Sequence, residues 1–171
     1  MKTPANAPDL DALVQLFLQH NLTLALAESC TCGLLAARLA AATGTSQVLL
    51  GSVVTYHPQA KQQLLGVKPA TLKTYSPESQ QTTNEMVQGL RRHLPEADVC
   101  VAVTGLCGPG ASEDPDKPVG TVFVTILFLG HAHEYRVALP HGDGEHLRQQ
   151  AADFVYHQLL ALLQRHAAAP Q

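Results

Sequence analysis

The residues of this chain that are best suited to chemistry follow its apolar segments. Ser29 comes after the apolar run 22–27, and its hydroxyl can act as a nucleophile if a base lies beside it. Lys61 follows a second apolar run and lies one turn into a predicted helix. An amine acts as a base only when burial or a nearby cation keeps it neutral. The spacing therefore predicts Ser29 as a candidate nucleophile, Lys61 as its base, and Tyr56 as a group that relays a proton or orients the amine.

Each of these side chains also has an ordinary structural explanation. Serine is a frequent helix N-cap, and a lysine near the start of a helix is commonly solvated. The sequence has no G-x-S-x-G turn, and no histidine lies in the context of a Ser-His-Asp triad. A thiol role for Cys30 or Cys32 stays open, because a helix N-terminus can lower the pKa of a cysteine. The residues alone thus leave a nucleophile and a structural cap as alternatives for Ser29.

Other parts of the sequence have the composition of a site for a phosphorylated small molecule. The stretch 29–33 is rich in hydroxyl and thiol groups where a predicted strand becomes a helix, whose first N–H groups attract anions. The stretch 44–46 pairs a flexible turn with two hydroxyls, and Arg148 can neutralise a phosphate. A glycine-rich loop allows backbone to approach a ligand, through Gly105, Gly108 and Gly110. The alternatives are that these turns bind no ligand and that Arg148 is an ordinary surface residue.

The elements that must position these residues alternate between strand and helix. Apolar runs predict strands, and apolar stripes with caps predict helices. The predicted strands are 22–27, 49–56, 99–104, 119–129 and 133–139, and the predicted helices are 10–20, 31–42, 58–65, 79–93 and 144–166. The alternation indicates an α/β fold, and the hairpin of the last two strands makes the sheet mixed. If the first three strands are parallel, the turns at 29–31, 56–58 and 104–105 meet at one edge of the sheet.

Composition limits the class of protein. The chain has 171 residues, 46% hydrophobic and only 15% charged, which predicts one globular domain over 1–171. A formal net charge of -3 predicts no nucleic-acid partner. Residues 1–8 lack the apolar core of a signal peptide and no apolar run could span a bilayer, so we expect a cytoplasmic protein without a membrane partner. The four cysteines show neither CxxC nor metal-finger spacing, which predicts free thiols and no metal site.

Together these segments resemble the CinA C-terminal domain family, the nicotinamide-nucleotide amidases, over about residues 10–163. The matching blocks are Ala27-Glu28-Ser29-Cys30-Thr31-x-Gly33, Gly44-x-Ser46, Val54-Thr55-Tyr56 with Ala60-Lys61, Leu65-Gly66-Val67, Ala102-Val103-Thr104-Gly105-x-x-Gly108-Pro109, Lys117-Pro118-Val119-Gly120-Thr121-Val122, and Gly142-Asp143 with Arg148. The occurrence of all these blocks, in order and at the spacing of the family, is far more specific evidence for the resemblance than any single block.

The resemblance implies a three-layer α/β/α sandwich with a mixed, mostly parallel sheet. It implies an enzyme that hydrolyses the carboxamide of nicotinamide mononucleotide to give nicotinate mononucleotide and ammonia, with no metal or organic cofactor. Ser29 would attack the amide carbon, Lys61 would take its proton, and Tyr56 would assist. Backbone N–H groups near 30–33 or 104–105 would stabilise the oxyanion. Family members are often dimeric, so a homodimer is expected.

The same matched positions supply the candidate substrate-binding residues, which are Cys30, Thr31, Gly33, Ser46, Thr104, Gly105 and Arg148. The chain departs from the family pattern at Cys32, where glycine is usual, at Cys107, where alanine is usual, and at Gly144, where arginine is usual. These departures motivate an alternative, a catalytically weak relative that binds a nucleotide without turnover. A third hypothesis, a structural module for a partner protein, predicts neither turnover nor ligand binding.

Overall fold

Strands and helices alternate along the chain, as the apolar pattern predicts. The computed structural model describes residues 7–109, 112–140 and 142–168, so residues 1–6 and Gly110 lie outside the described residues. The helices are α1 (Leu10–Gln19), α2 (Leu34–Leu39), α3 (Pro58–Leu65), α4 (Pro69–Tyr75), α5 (Gln80–His93) and α6 (Gly144–Ala168), with a 3-10 turn at Thr45–Gln47. The strands are β1 (Leu24–Glu28), β2 (Leu49–Val54), β3 (Val99–Gly105), β4 (Thr121–Phe128) and β5 (His131–Ala138).

The strands form one mixed sheet in the order β2-β1-β3-β4-β5. β1 pairs in parallel with β2 on one side and with β3 on the other. β4 is antiparallel to both β3 and β5, so it alone runs against the rest of the sheet. The prediction of a mixed, mostly parallel sheet is confirmed. Because β1, β2 and β3 share a direction, the turns that follow them lie at the same edge.

Alternating side chains give the two faces of the sheet different partners. Leu24 and Val101 point to the face that packs on α1, α2 and α6. Ala25 and Ala102 point to the opposite face, which packs on α3 and α5. This arrangement is the three-layer α/β/α sandwich that the resemblance implies. Within the described ranges, no helix is both long and apolar enough to cross a membrane.

Gly89 brings α3, the helix that carries Lys61, close to α5. A Cβ atom at Gly89 would lie 1.9 Å from the carbonyl oxygen of Leu65 at the end of α3. Because this separation is far below a van der Waals contact, a larger residue would force the two helices apart. The close packing fixes the position of Lys61 relative to the sheet.

Caps and breakers predict most helix ends correctly. The Asp9 side chain accepts a hydrogen bond from the N–H of Ala12 at 3.0 Å, and Ser79 caps α5 in the same way. α3 begins at Pro58 and ends before Gly66, whose φ of 69° stops the helix.

Two helices differ from the prediction. α2 begins at Leu34 rather than at Thr31, because Cys32 and Gly33 have positive φ values of 50° and 90°. α4 lies where no helix was predicted, since its one large aliphatic residue, Leu72, forms no apolar stripe.

Candidate active site

The three turns at the edge of the sheet enclose a cavity. Ser29 follows β1, Tyr56 follows β2 and Gly105 ends β3, and all three line one cavity of about 300 Å³. Its other lining residues are Cys30, Glu78, Leu106, Cys107, Gly108, Pro109 and Arg148. In open α/β sheets, ligands bind beyond the carboxyl ends of the parallel strands, which is where this cavity lies.

Ser29 and Lys61 form a hydrogen-bonded pair at this cavity. The Lys61 Nζ atom lies 2.7 Å from Ser29 Oγ and donates to the Thr55 carbonyl oxygen at 2.6 Å. The Lys61 side chain is fully buried, so it is not a solvated helix lysine. Ser29 is not the cap of α2 either, because Gly33 occupies the N-cap position. The Ser29 N–H instead donates to the Val103 carbonyl at 3.0 Å, which holds the serine beside β3.

Burial lowers the pKa of Lys61 from 10.5 to about 8, because a charged amine loses its hydration inside the protein. The negative charge of Glu78, and to a smaller extent Cys30, acts in the opposite direction. A pKa near 8 leaves part of the amine neutral at ordinary pH. Since its N–H groups can donate to the Thr55 carbonyl, the neutral amine can direct its lone pair at the Ser29 hydroxyl. The pair can therefore act as a nucleophile and its base.

Tyr56 lies at the rim of the cavity, with 66% of its surface exposed. The Thr55 carbonyl is the group that orients the Lys61 amine. The role of Tyr56 as a group that relays a proton or orients the amine stays a prediction. The Tyr56 ring is placed to contact a ligand in the cavity.

Glu28 fixes the turn that carries Ser29. Its fully buried carboxylate accepts four hydrogen bonds, from Thr31 Oγ1 at 2.8 Å and from Leu35 N–H, Ala36 N–H and Ser52 Oγ at 3.0 Å each. The two backbone donors belong to the first turn of α2, so a carboxylate on β1 caps this helix from a distance. No role was predicted for Glu28, because only the folded turn brings its four donors together.

Most of the predicted substrate-binding residues lie at the cavity or next to it. Cys30, Gly105 and Arg148 line the cavity itself. Thr31 and Gly33 line an adjacent recess that shares Arg148 with the cavity. The Thr31 hydroxyl donates to Glu28, so it stabilises the turn. Arg148 is the cation that borders both spaces.

Thr104 supports the cavity without lining it. The Thr104 side chain is fully buried, and its hydroxyl donates to the Pro77 carbonyl at 3.1 Å. This hydrogen bond ties the end of β3 to the loop between α4 and α5. The Thr104 hydroxyl can still accept a hydrogen bond, so its predicted contact with a ligand stays a prediction.

Ser46 does not lie with these residues. It precedes β2, and since β2 is parallel to β1, this position is at the edge of the sheet opposite Ser29. The hydroxyl of the neighbouring Thr45 donates to two carbonyls at the end of α2, those of Leu39 and Ala42. The stretch 44–46 therefore closes α2, and the prediction that Ser46 shares a site with Ser29 within one chain is wrong.

Close packing explains two of the three glycines near the cavity, Gly105 and Gly144. Gly105 does not have a positive φ, and a Cβ atom there would lie 2.6 Å from the Thr121 carbonyl oxygen of β4. Glycine at this position therefore allows β4 to approach β3. At Gly144, a Cβ atom would lie 2.9 Å from the Cys107 carbonyl oxygen. Gly108 has open space around its Cβ position, in keeping with backbone exposed to a ligand.

Two cysteines contact each other in the cavity wall. The contact with the Cys107 thiol, together with burial, raises the pKa of Cys30 well above its usual value. The same contact and the positive charge of Arg148 lower the pKa of Cys107. A thiol with a raised pKa is a poor nucleophile at neutral pH, so the open alternative of a Cys30 nucleophile is disfavoured relative to Ser29. Cys32 is exposed on the turn.

Glu78 is a cavity residue that sequence analysis missed. It lies in the loop between α4 and α5 and lines the cavity together with Ser29. Its Oε2 atom is buried and has no hydrogen-bond partner within the described part of the chain. Its polar sequence context resembles that of an ordinary surface loop, so no pattern distinguishes it.

Fold and cavity together define an α/β/α sandwich protein with a buried serine–lysine pair at the edge of its sheet. The chain matches the CinA C-terminal domain over residues 8–163, and it belongs to this family. It is 43% identical over 122 residues to a CinA-like protein of Thermotoga neapolitana, covering 71% of this chain and 29% of that protein. It is 42% identical over 147 residues to a CinA-like protein of Chlorobaculum tepidum, covering 86% of this chain and 31% of the other. The chain thus spans about three tenths of the length of these relatives.

Solved structures of the CinA superfamily share the fold. A superfamily protein from Klebsiella pneumoniae superposes with a TM-score of 0.84 at 33% identity, covering 91% of this chain and 96% of that one. A superfamily protein from Escherichia coli has the same TM-score of 0.84 at 34% identity, covering 94% and 95% of the two chains. Fold and family thus rest on agreement along nearly the whole chain.

Proposed function

We propose that this protein is an amidohydrolase that converts nicotinamide mononucleotide to nicotinate mononucleotide and ammonia. The observation that carries the proposal is the 2.7 Å contact between Ser29 Oγ and the amine of Lys61, which is fully buried and has a pKa of about 8. The substrate rests on the resemblance of the chain to the nicotinamide-nucleotide amidases. The adjoining cavity of about 300 Å³ lies at the lower end of the range usual for small-molecule sites.

Ser29 and Lys61 together have the groups that both steps of an acyl transfer need, a nucleophile and a base. Ser29 Oγ forms a bond to the amide carbon while its proton passes to the neutral Lys61 amine. The carbon–nitrogen bond then breaks, and Lys61 returns the proton to the nitrogen, which leaves as ammonia. Water attacks the resulting ester with Lys61 again as base, which gives the carboxylate and restores Ser29. Turnover should rise with pH through about 8, since the amine must be neutral at the start.

Backbone N–H groups of the turn after β1 are suited to stabilise the oxyanion by hydrogen bonds. The N–H groups of Ser29 and Cys32 already donate to the carbonyls of Val103 and Ser29. We assign the oxyanion contact to the N–H of Cys30, a residue that lines the cavity. Arg148, at the border of the cavity, is suited to the phosphate, and the Tyr56 ring is suited to stack on the pyridine ring.

The test is ammonia release from nicotinamide mononucleotide by the purified chain and by three variants. We expect turnover in the wild type and in Glu96→Gln, which removes an exposed carboxylate near the start of β3. Ser29→Ala and Lys61→Ala should each release no ammonia above background. Equal turnover in Ser29→Ala and the wild type would contradict the assigned nucleophile, and no turnover in the wild type would contradict the reaction.

A nucleotide-binding protein without turnover is the second candidate. Cys107 favours it, because its thiol stands in the cavity wall in contact with Cys30, the residue after the nucleophile. This candidate predicts that nicotinamide mononucleotide raises the melting temperature without release of ammonia. A melting shift together with turnover excludes it.

We also propose that two copies of the chain associate. β2 is an edge strand, and two of its apolar side chains are exposed, Leu50 at 39% and Val54 at 42%. Exposed apolar side chains beside an open strand edge favour association between chains. Light scattering should give a dimer mass for the wild type and a monomer mass for Leu50→Glu. A monomeric wild type would contradict this proposal.

A further inference from the structure

The loop that carries Glu78 is held rigidly against the rest of the protein. Its carbonyls accept hydrogen bonds from four hydroxyls: Ser79 Oγ (3.0 Å) and Thr82 Oγ1 (2.8 Å) to Ser76, Thr104 Oγ1 (3.1 Å) to Pro77, and Ser76 Oγ (3.2 Å) to Glu78. The Lys117 amine also donates to Ser76 Oγ at 2.7 Å. Ser76 itself has φ 73° and ψ 163°, a conformation nearly restricted to glycine. The protein therefore maintains a strained backbone to hold Glu78 at the cavity.

The carboxylate that this loop presents is incompletely satisfied. Glu78 Oε2 is buried, yet none of the described residues donates to it. Nearly all buried acceptors in folded proteins have a partner, because an unpaired one loses its hydration without compensation. A strained loop that keeps an unpaired carboxylate in the wall of the cavity that Ser29 also lines is explained if a ligand supplies the compensating positive charge.

A charge of opposite sign in the lining of the same cavity narrows the class of ligand. The Arg148 guanidinium lines the same cavity as the Glu78 carboxylate. A cavity with one fixed cation and one fixed anion is complementary to a ligand whose own charges are separated. A pyridine carboxamide that carries a ribose phosphate on its ring nitrogen is such a ligand, with a positive ring and a negative phosphate.

We infer that Glu78 is a specificity-determining residue, whose carboxylate recognises the positive charge of the ring that bears the scissile carboxamide. The inference rests on the proposed function and adds to it a requirement for a cationic ring. Neutral analogues of the same shape would then bind less tightly, since they offer no positive charge to the Glu78 carboxylate. Glu78 is not part of the nucleophile and base pair, so it acts on selection of the substrate.

Binding of a cationic ring would also act on the base. The charged or titratable groups that bear on Lys61 are Glu78 and Cys30, and both favour its protonated form. A cation bound at Glu78 offsets the first of these charges and so favours the neutral amine. Removal of the Glu78 charge should therefore move the acid limb of the kcat/KM profile to lower pH. This shift reports the charge of Glu78 beside the base, and the comparison of charged and neutral ligands below tests its role in recognition.

The test compares a charged and an uncharged ligand of nearly the same shape. Reduced nicotinamide mononucleotide keeps the carboxamide, ribose and phosphate but has a neutral ring. Dissociation constants of both forms are measured by calorimetry in a Ser29→Ala background, which prevents turnover, with and without Glu78→Gln. We expect Glu78→Gln to weaken binding of the charged form about 10- to 100-fold and that of the reduced form by less than about twofold. Glu96→Gln, which removes an exposed carboxylate near the start of β3, should change neither.

The outcomes separate this inference from the function on which it rests. An equal loss of affinity for both ligands, or no loss for either, would overturn the inference while ammonia release by the wild type still supports the amidase. If the wild type releases no ammonia but the ligand pair still responds to Glu78→Gln as expected, the inference stands and the amidase fails. If neither mononucleotide binds, both are overturned.

Discussion

Two glutamates near the nucleophile illustrate opposite uses of a carboxylate. Glu28, on β1, has four hydrogen-bond donors around its two oxygens. Glu78, on the loop before α5, has a buried oxygen without a donor among the residues that the structure describes. Both groups lie within the neighbourhood of Ser29, so proximity to the nucleophile does not distinguish them. Their hydrogen-bond partners do.

A carboxylate with all its donors present stabilises the fold, because breaking the arrangement leaves several buried groups unpaired. A carboxylate that lacks a donor contributes little to the fold and is available to a ligand. Lys61 resembles Glu78 in another way, since burial disfavours its charged form and thereby lowers its pKa. Substitutions in the Glu28 region should therefore reduce stability, and substitutions of Lys61 and Glu78 should reduce activity or selectivity.

The largest expected effect is on activity, at Lys61. We expect Lys61→Met to lower kcat by about 10²- to 10⁴-fold, since the proton of Ser29 then has no acceptor. Methionine has a similar volume and removes the buried amine, so the free energy of unfolding should not fall by more than about 1 kcal/mol near neutral pH. Ammonia release and urea unfolding of the same preparation check both parts. A variant that unfolds much more easily would show that Lys61, like Glu28, stabilises the fold, which would contradict the distinction between the two kinds of group.

Glu28→Gln should show the opposite behaviour. The amide offers one acceptor oxygen instead of two, so at least one buried N–H group at the start of α2 is left facing another donor. We expect a loss of about 3 kcal/mol in the free energy of unfolding. Urea unfolding measures this loss, with Glu96→Gln as the matched exposed control, which should change by less than about 0.5 kcal/mol. Unchanged stability would show that the four hydrogen bonds do not hold the turn.

The pH dependence of stability tests the burial of the Lys61 amine. In the folded protein its pKa is about 8, against 10.5 for an ordinary lysine. Between these values the unfolded chain binds more protons, so the stability of the wild type relative to Lys61→Met should rise as the pH increases. The rise should be about 3 kcal/mol, and the difference should be flat below about pH 8 and above about pH 10.5. Lys73→Met, at an exposed lysine, should show no such rise. A flat difference for Lys61→Met would contradict a lowered pKa.

The distinction between the two glutamates could not be predicted from the sequence. Local signals sufficed for much of the fold, because Asp9, Pro58, Gly66 and Ser79 act on the helix ends beside them. The convergence of the turns after β1, β2 and β3 was also predictable, since parallel strands end at one edge. Satisfaction of a carboxylate depends instead on donors that are distant in sequence.

In the candidate site, too, some features could be predicted from local sequence and others depend on the folded structure. Ser29 and Lys61 were predictable as a pair, whereas the burial that lowers the lysine pKa depends on the packing of α3 against α5 at Gly89. The position of Ser46 was missed because hydroxyl-rich turns at the two edges of a sheet have similar sequences. α4 was missed because a single large aliphatic residue produces no stripe.

The smallest expected effect is on stability, at Glu78. We expect Glu78→Gln to change the free energy of unfolding by less than about 0.5 kcal/mol near pH 7, because the wild-type oxygen has no donor to lose within the described residues. Glutamine keeps the volume of the side chain, so the hydroxyls that hold the loop backbone should keep their acceptors. Urea unfolding beside Glu28→Gln gives the comparison directly, since both changes replace one carboxylate oxygen by an amide nitrogen. Equal losses would mean that Glu78 is also a structural group, and the strain at Ser76 would then need another explanation.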